Sequence, residues 1–184
     1  MPRIPYFDLE QAPEEIKQHL ASRHPLNIYR MLAHATTAAP GFLRLGRALL
    51  RESELDPRLR ELAILRVGIL SGAAYEVHQH KRVARLVGLE AEKIDAVARG
   101  AAAPVYDALE REVLAFTDEV VRNVKASDAV FHSLHRKLGD RRIVELLLTI
   151  GFYMMVCRFL ENLEVEIEPP GTVEITSLEP NKNA

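Results

Sequence analysis

Apolar residues recur every three or four positions along most of the chain, a spacing that indicates helices with one buried face. Helix-start signals precede these segments: Asp56 followed by Pro57 has the form of an N-cap followed by a first helical residue. Gly88 lies where a C′ glycine would end the helix before it. The pattern predicts successive helices that begin near Pro13, Pro25, Pro40, Pro57, Ala73, Glu90, Asp107, Ser127 and Asp140, with a helix end near Gly139.

The C-terminal end has a different pattern. Residues 164–168 and 172–176 alternate between acidic or polar and apolar positions, with two prolines and a glycine between them. This period of two is typical of a strand, so the end is expected to be a small hairpin or an extended arm on a neighbouring subunit. We therefore expect an N-terminal segment (1–25), one helical domain (26–163) and an extended tail (164–184), with an interior linker at residues 100–104.

Composition narrows the class of protein. The chain has 184 residues, of which 48% are apolar and 27% charged, as in a typical single globular domain. Its net charge of −2 gives no basic excess, so no nucleic-acid partner is expected. Cys157 is its single cysteine, which excludes an internal disulfide, a cysteine-rich zinc site and a CxxC redox pair.

The most apolar run, residues 143–157, predicts a buried helix. It contains Glu145, is followed by Arg158, and is shorter than the roughly 20 apolar residues that cross a bilayer. The first eight residues lack the apolar core of a signal peptide. We therefore expect a soluble, cytoplasmic protein with no membrane partner.

The helix predicted over residues 73–87 carries two ionisable residues on its apolar face. On a helical wheel Glu76 and His80 lie among valines and alanines, one turn apart, while Tyr75 lies on the polar side. Burying a carboxylate and an imidazole is costly unless they satisfy each other. The pair is either a hydrogen-bonded structural pair or a proton-transfer dyad in which the carboxylate orients the histidine.

The preceding helix adds further candidates. Residues 62–70 are apolar on almost every side, which indicates a fully buried helix, with Glu61 at its start and Arg66 within it. Arg66 either pairs with an acid such as Glu145 or contacts an anionic substrate. Tyr153 is either a core aromatic or part of a pocket wall. No metal site is expected, because His78 and His80 project from a helix in different directions.

These residues resemble a known family. The run of residues 60–67, followed by Ala74, Tyr75, Glu76 and His80, is similar to the carboxymuconolactone decarboxylase and alkylhydroperoxidase-D-like superfamily. The similarity extends from residue 27 to residue 153. It implies an all-α fold, a single-domain antiparallel helical bundle, assembled as a homo-oligomer of trimeric or hexameric symmetry.

The resemblance also separates two chemistries. The hydroperoxidase branch has a glutamate, a CxxC pair and a histidine, which correspond here to Glu61, Ala73, Glu76 and His80. Thiol peroxidases need a thiolate nucleophile and a resolving thiol, and neither motif position supplies sulfur. Peroxiredoxin-type activity is therefore disfavoured, although the superfamily carries that label.

The cysteine-free branch implies a lyase-type enzyme that needs no cofactor and acts on a small unsaturated acid or lactone by decarboxylation or isomerisation. Such a reaction needs a general acid, a group that binds a carboxylate, and an apolar pocket. A non-catalytic, oligomeric small-molecule-binding protein is the alternative from another class. The expected site residues are His80, Glu76, Glu61 and Tyr75 for acid–base chemistry, and Arg66 and Tyr153 for substrate binding.

Overall fold

The computed structural model describes residues 1–171 except residues 22 and 25, and this part of the chain contains helices and no strand. The all-α prediction is therefore confirmed. Two 3-10 helices, Leu9–Gln11 and Val97–Ala102, accompany the α-helices. The α-helices are α1 (Glu14–Leu20), α2 (Asn27–Leu32), α3 (Ala39–Arg51), α4 (Pro57–Leu70), α5 (Ala74–Leu86), α6 (Ala91–Ala96), α7 (Ala108–Asn123) and α8 (Asp128–Leu163).

Helix α4 lies at the centre of the bundle, packed against α5, α7 and α8. Its start is fixed locally, because the Asp56 side chain accepts a hydrogen bond from the Arg58 backbone N–H at 2.8 Å and Pro57 needs no donor there. Ten consecutive residues of α4, from Leu59 to Gly68, are buried. The predicted fully buried helix is confirmed, and burial on all sides explains its lack of a polar face.

The main core forms where α4, α7 and α8 meet. It is made of aliphatic and aromatic side chains with almost no exposed surface, among them Leu62, Leu65, Leu114, Phe116, Leu134 and Leu146. A second, smaller cluster joins α1, α2 and α3 through Ile16, Leu32 and Leu43. The N-terminal segment is thus packed onto the helical domain by its own apolar contacts.

Helix α8 contains the break that the sequence predicts at Gly139. Gly139 has φ 78° and ψ 175°, which no helical residue adopts, so the hydrogen-bonded helix is kinked there. By length and a mean hydropathy of 1.9, α8 is the one helix among the described residues that qualifies as a candidate membrane span. Half of its most apolar window is buried inside the protein, as in the core helix of a soluble protein.

The segment predicted as an interior linker begins inside a 3-10 helix and is partly buried: Gly100 and Ala103 are buried, whereas Ala102 and Pro104 are exposed. Gly100 is buried within the 3-10 helix Val97–Ala102 and has φ 63°. A Cβ atom at Gly100 would lie 2.8 Å from Arg66 Nη2, so only glycine lets the backbone approach this guanidinium. The glycine that suggested a linker allows this close approach.

The tail from residue 164 to residue 171 has no regular secondary structure and returns along the N-terminal segment. The Glu166 N–H donates to the Tyr6 hydroxyl at 3.0 Å, and Asn27 Nδ2 donates to the Glu166 carbonyl at 2.9 Å. Val165 is buried between these contacts. Residues 164–168 alternate like a strand but form none, and residues 172–176 lie outside the described residues.

Candidate active site

Helices α4 and α5 form a tightly packed hairpin that brings their ionisable residues together. At Gly68 a Cβ atom would lie 3.0 Å from Val77 Cγ2, so the absence of a side chain there allows α5 to approach α4 closely. Glu61 near the start of α4 and His80 in the middle of α5 consequently meet across the hairpin, although 19 positions separate them in sequence.

His80 lies between two carboxylates. Its Nδ1 is 2.6 Å from Glu61 Oε2, and its Nε2 is 3.0 Å from Glu76 Oε1. Arg60 Nε donates to the other Glu61 oxygen at 3.3 Å. All four side chains are buried, and Glu61 has no exposed surface. We call Arg60, Glu61, Glu76 and His80 the buried charge cluster.

The two carboxylates of this cluster differ in their hydrogen bonding. Glu61 is hydrogen-bonded to both His80 and Arg60. Glu76 Oε1 is close enough to His80 Nε2 to form an ion pair, but it lies off the N–H direction and has no hydrogen-bond donor within the part of the chain described. A buried carboxylate oxygen without a donor is costly, so Glu76 has acceptor capacity left for a guest.

The cluster fixes the charge of His80. Burial alone lowers the pKa of a histidine, but the charges of Glu61 and Glu76 and the hydrogen bond to Glu61 outweigh that effect and raise the pKa of His80 to about 10. His80 is therefore an imidazolium at neutral pH. Its proton donors face the two carboxylates, one of which also borders a cavity.

The cavity has a volume of about 100 Å³ and is lined mostly by apolar side chains from α2, α3, α5 and α8. Tyr75, Glu76, His80 and Tyr153, all expected from the sequence as site residues, lie on its wall. The rings of Tyr153 and His80 meet edge to face, with centroids 4.8 Å apart. Burial, and then the charges of Glu76 and Glu61, raises the pKa of Tyr153 well above its usual value, so its phenol stays neutral.

Glu61 and Arg66 have different positions relative to this cavity. Glu61 lies behind His80 and reaches the cavity only through the imidazole. Arg66 does not line the cavity: it pairs with both carboxylate oxygens of Asp118 and donates to the backbone carbonyls of Val97 and Ala98, each at 2.9 Å. Its guanidinium is therefore engaged in joining α4, α7 and the 3-10 helix, which gives no support to substrate binding by Arg66.

The suggested structural partner of Arg66 is also engaged elsewhere. Glu145 accepts hydrogen bonds from the Ser53 hydroxyl at 2.7 Å and from the Leu55 N–H at 3.0 Å, and pairs with Arg141. Its pKa is lowered because these hydrogen bonds outweigh the effect of burial. Glu145 thus holds the α3–α4 connection to α8.

Tyr75 is buried, although the wheel places it on the polar side of α5. Its hydroxyl donates to Glu168 Oε1 at 2.7 Å, and Gln79, one turn later, donates to Glu168 Oε2 at 2.6 Å. The tail covers this part of α5. Burial, and then the hydrogen bond to Glu168, raises the pKa of Tyr75 far above its usual value.

Gln79, Glu168 and Arg60 are site residues that sequence reasoning missed. Gln79 follows Tyr75 at the same i,i+4 spacing that joins Glu76 to His80, which is a usable signal. Arg60 directly precedes Glu61, and a charged residue near the start of a helix gives no signal by itself that it is a site residue. Glu168 has no local signal, because its partners come from α2 and α5.

The single thiol is separate from the cavity. Cys157 is buried and does not line it, and burial, followed by the charge of Glu76, raises the thiol pKa to about 12. A thiol with this pKa is almost entirely protonated at neutral pH and is a poor nucleophile. Among residues 1–171, the two undescribed positions aside, no group of three His, Cys, Asp or Glu side chains is arranged to hold a metal ion.

The chain is similar to one known family and to several solved structures. Residues 37–119, which include Glu61, Tyr75, Glu76 and His80, match the carboxymuconolactone decarboxylase family. No curated protein sequence matches the chain. Among solved structures, an AhpD-type antioxidant defence protein of unknown function from Agrobacterium tumefaciens is 26% identical, with a TM-score of 0.69, covering 74% of this chain and 95% of its own.

Two more distant structures share the fold. An uncharacterised peroxidase-related protein with an AhpD core, from Ralstonia eutropha, has a TM-score of 0.81 at 19% identity, covering 91% of this chain and 92% of its own. A debrominase in complex with 2,3,4-tribromopyrrole has a TM-score of 0.75 at 17% identity, covering 91% and 94%. Residues 37–119 are thus similar to the carboxymuconolactone decarboxylase family, and the chain shares the fold of the AhpD-like structures.

Proposed function

We propose that this protein is an enzyme of the carboxymuconolactone decarboxylase type, which uses acid–base chemistry without a cofactor on a small unsaturated acid or lactone. The observation that carries the proposal is a histidine held protonated between two buried carboxylates at the wall of an apolar cavity. A buried imidazolium can both stabilise a developing oxyanion and supply a proton to carbon. The family that residues 37–119 match includes enzymes, and His80 and the apolar wall supply a general acid and an apolar pocket for such a reaction.

In a decarboxylation, the bond between the substrate carbon and its carboxylate breaks and CO₂ leaves. The electron pair passes through the conjugated double bond to the lactone carbonyl, which becomes an enolate oxygen. His80 then gives its proton to carbon, the enolate electrons return to form the new C–H bond, and solvent reprotonates the imidazole. The apolar wall favours this step, because dispersal of a carboxylate charge into a larger anion is easier away from water.

Three residues that contact His80 have distinct roles in the proposal. Glu61, hydrogen-bonded at 2.6 Å to Nδ1, is a positioning residue that fixes the ring and keeps it protonated. Glu76 lies on the cavity wall and guides the Nε2 proton, because its Oε1 is near that nitrogen without being hydrogen-bonded to it. Tyr153 supports the imidazole from its edge.

A non-catalytic binding protein is the second candidate, and one observation favours it. Glu61 receives hydrogen bonds from both His80 and Arg60, so this part of the cluster is self-satisfied, as in a structural ion pair. In that case, replacing His80 and Glu76 with similarly sized apolar residues would preserve or raise stability. Peroxidase activity is disfavoured by the buried, protonated Cys157 thiol.

The proposal is tested with His80→Ala and Glu76→Gln. Carboxymuconolactone and a panel of unsaturated acids are the substrates, and CO₂ release and deuterium incorporation from D₂O report decarboxylation and isomerisation. We expect each variant to lose about 100-fold or more in kcat, the range for removal of a general acid, with an unchanged circular dichroism spectrum. Cys157→Ser is the matched control and should keep full activity. Rates near those of the wild-type protein in both variants would contradict the proposal.

A further inference from the structure

The tail carries a carboxylate into a set of donors beside the cavity. Glu168 Oε1 accepts from the Asn27 N–H at 2.6 Å and from the Tyr75 hydroxyl at 2.7 Å, and Oε2 accepts from Gln79 Nε2 at 2.6 Å. All three donors are neutral. Hydrogen bonds from neutral donors to an ionised carboxylate are short and strong, as these are.

The same donors belong to the site. Tyr75 and Gln79 line the cavity, and they lie on α5 at positions directly before Glu76 and His80. A group bound by Tyr75 and Gln79 therefore lies next to the cavity that His80 borders. These donors would hold any carboxylate that reached them in place of the Glu168 side chain.

The size of the cavity gives a second, independent reason to expect exchange. At about 100 Å³ it is smaller than the cavity of about 150 Å³ that binds benzene in an engineered protein. An unsaturated lactone that bears a carboxylate is larger than benzene, so part of such a guest would extend beyond the cavity, next to Tyr75 and Gln79. Releasing Glu168 breaks three hydrogen bonds and leaves every helix of the bundle intact.

We propose that Tyr75, Gln79 and the Asn27 N–H form a carboxylate-binding subsite, which Glu168 occupies in the free protein and which the carboxylate of a small acid takes over. The tail is thus an internal competitor. The anchors at Glu166, made by its main chain to Tyr6 and Asn27, keep the tail attached while the Glu168 side chain moves. This inference rests on the proposed function and deepens it, since it assigns the residues that hold the substrate carboxylate.

The test measures binding of benzoate by isothermal titration calorimetry, without turnover. Glu168→Ala removes the competitor, so we expect benzoate to bind at least about tenfold more tightly than to the wild-type protein. Benzamide, which has the same ring and no charge, should bind Glu168→Ala no more tightly than it binds the wild-type protein. Glu166→Ala is the matched control: its carboxylate pairs only with the N-terminal ammonium among the described residues, and its main-chain anchors are kept.

Adding Tyr75→Phe and Gln79→Leu to Glu168→Ala should abolish the gain, because two of the three donors are then missing. The inference is overturned if Glu168→Ala binds benzoate no more tightly than the wild-type protein, if Glu166→Ala gains as much, or if the gain survives in the triple variant. If Glu168→Ala does not fold, Glu168→Gln, a weaker neutral competitor, should show a smaller gain, and no gain there also overturns the inference. Normal turnover by His80→Ala would overturn the proposed function alone, and unchanged benzoate binding would overturn the subsite alone.

Discussion

His80 is the residue on which the proposed chemistry and part of the stability depend. Two carboxylates raise its pKa to about 10, whereas an unfolded histidine has a pKa near 6.5. Between these values the folded protein holds one proton more than the unfolded chain. The resulting stabilisation is complete below about pH 6.5 and is lost as the pH rises through about 10.

We therefore predict that the free energy of unfolding contributed by His80 falls from about pH 6.5 upward, by up to about 1.4 kcal/mol per pH unit. Urea unfolding between pH 6.5 and 9.5 measures this slope in the wild-type protein and in His80→Gln. The difference in slope between the two proteins isolates the contribution of His80, because the other titrating groups are the same in both. Equal slopes for the two proteins would show that His80 is not held protonated by the fold.

Among the elements, the 3-10 helix Val97–Ala102 supports α4 through hydrogen bonds to Arg66. Its Val97 and Ala98 carbonyls accept from Arg66, which also pairs with Asp118 of α7. Gly100 is the residue that lets this helix approach the guanidinium. An arginine buried on α4 is tolerated because three partners satisfy its donors.

Gly100→Ala tests this support. With φ 63° and ψ −153°, Gly100 lies in a backbone region that is essentially restricted to glycine and costs other residues about 1–3 kcal/mol, and the new Cβ also collides with the guanidinium, so we expect a total loss of about 4 kcal/mol. Gly139→Ala is the control, because Gly139 has φ 78° and ψ 175° in the same backbone region but open space around its Cβ position, and should cost only about 2 kcal/mol. Chemical denaturation compares the two variants. Equal losses would mean that the contact with Arg66 contributes nothing.

For the molecule as a whole, the outer face of α8 is apolar where solvent would favour polar residues. Val144, Leu148 and Met155 are each about half exposed and follow one another at helical spacing around Gly151. A continuous exposed apolar stripe is characteristic of an interface. We propose that this face packs against further copies of the chain, in line with the trimer or hexamer expected from the sequence resemblance.

Leu148→Glu is predicted to dissociate such an assembly, because it places a charge in the middle of the stripe. Light scattering after size-exclusion chromatography should show a multiple of 20.7 kDa for the wild-type protein and a smaller mass for the variant. Leu86→Glu, an exposed leucine at the end of α5, is the control and should keep the mass of the wild-type protein. A monomeric wild-type protein would contradict the proposal.

The sequence by itself determined the helices, the break at Gly139 and the pairing of Glu76 with His80, because these depend on spacing along one segment of chain. Tertiary structure alone decided that Glu61 binds His80 from the other side, that Arg66 pairs with Asp118, and that Glu168 covers Tyr75 and Gln79. These partners come from separate elements. Local periodicity states which face of a helix is buried, but only the packing of the bundle brings a particular side chain to that face.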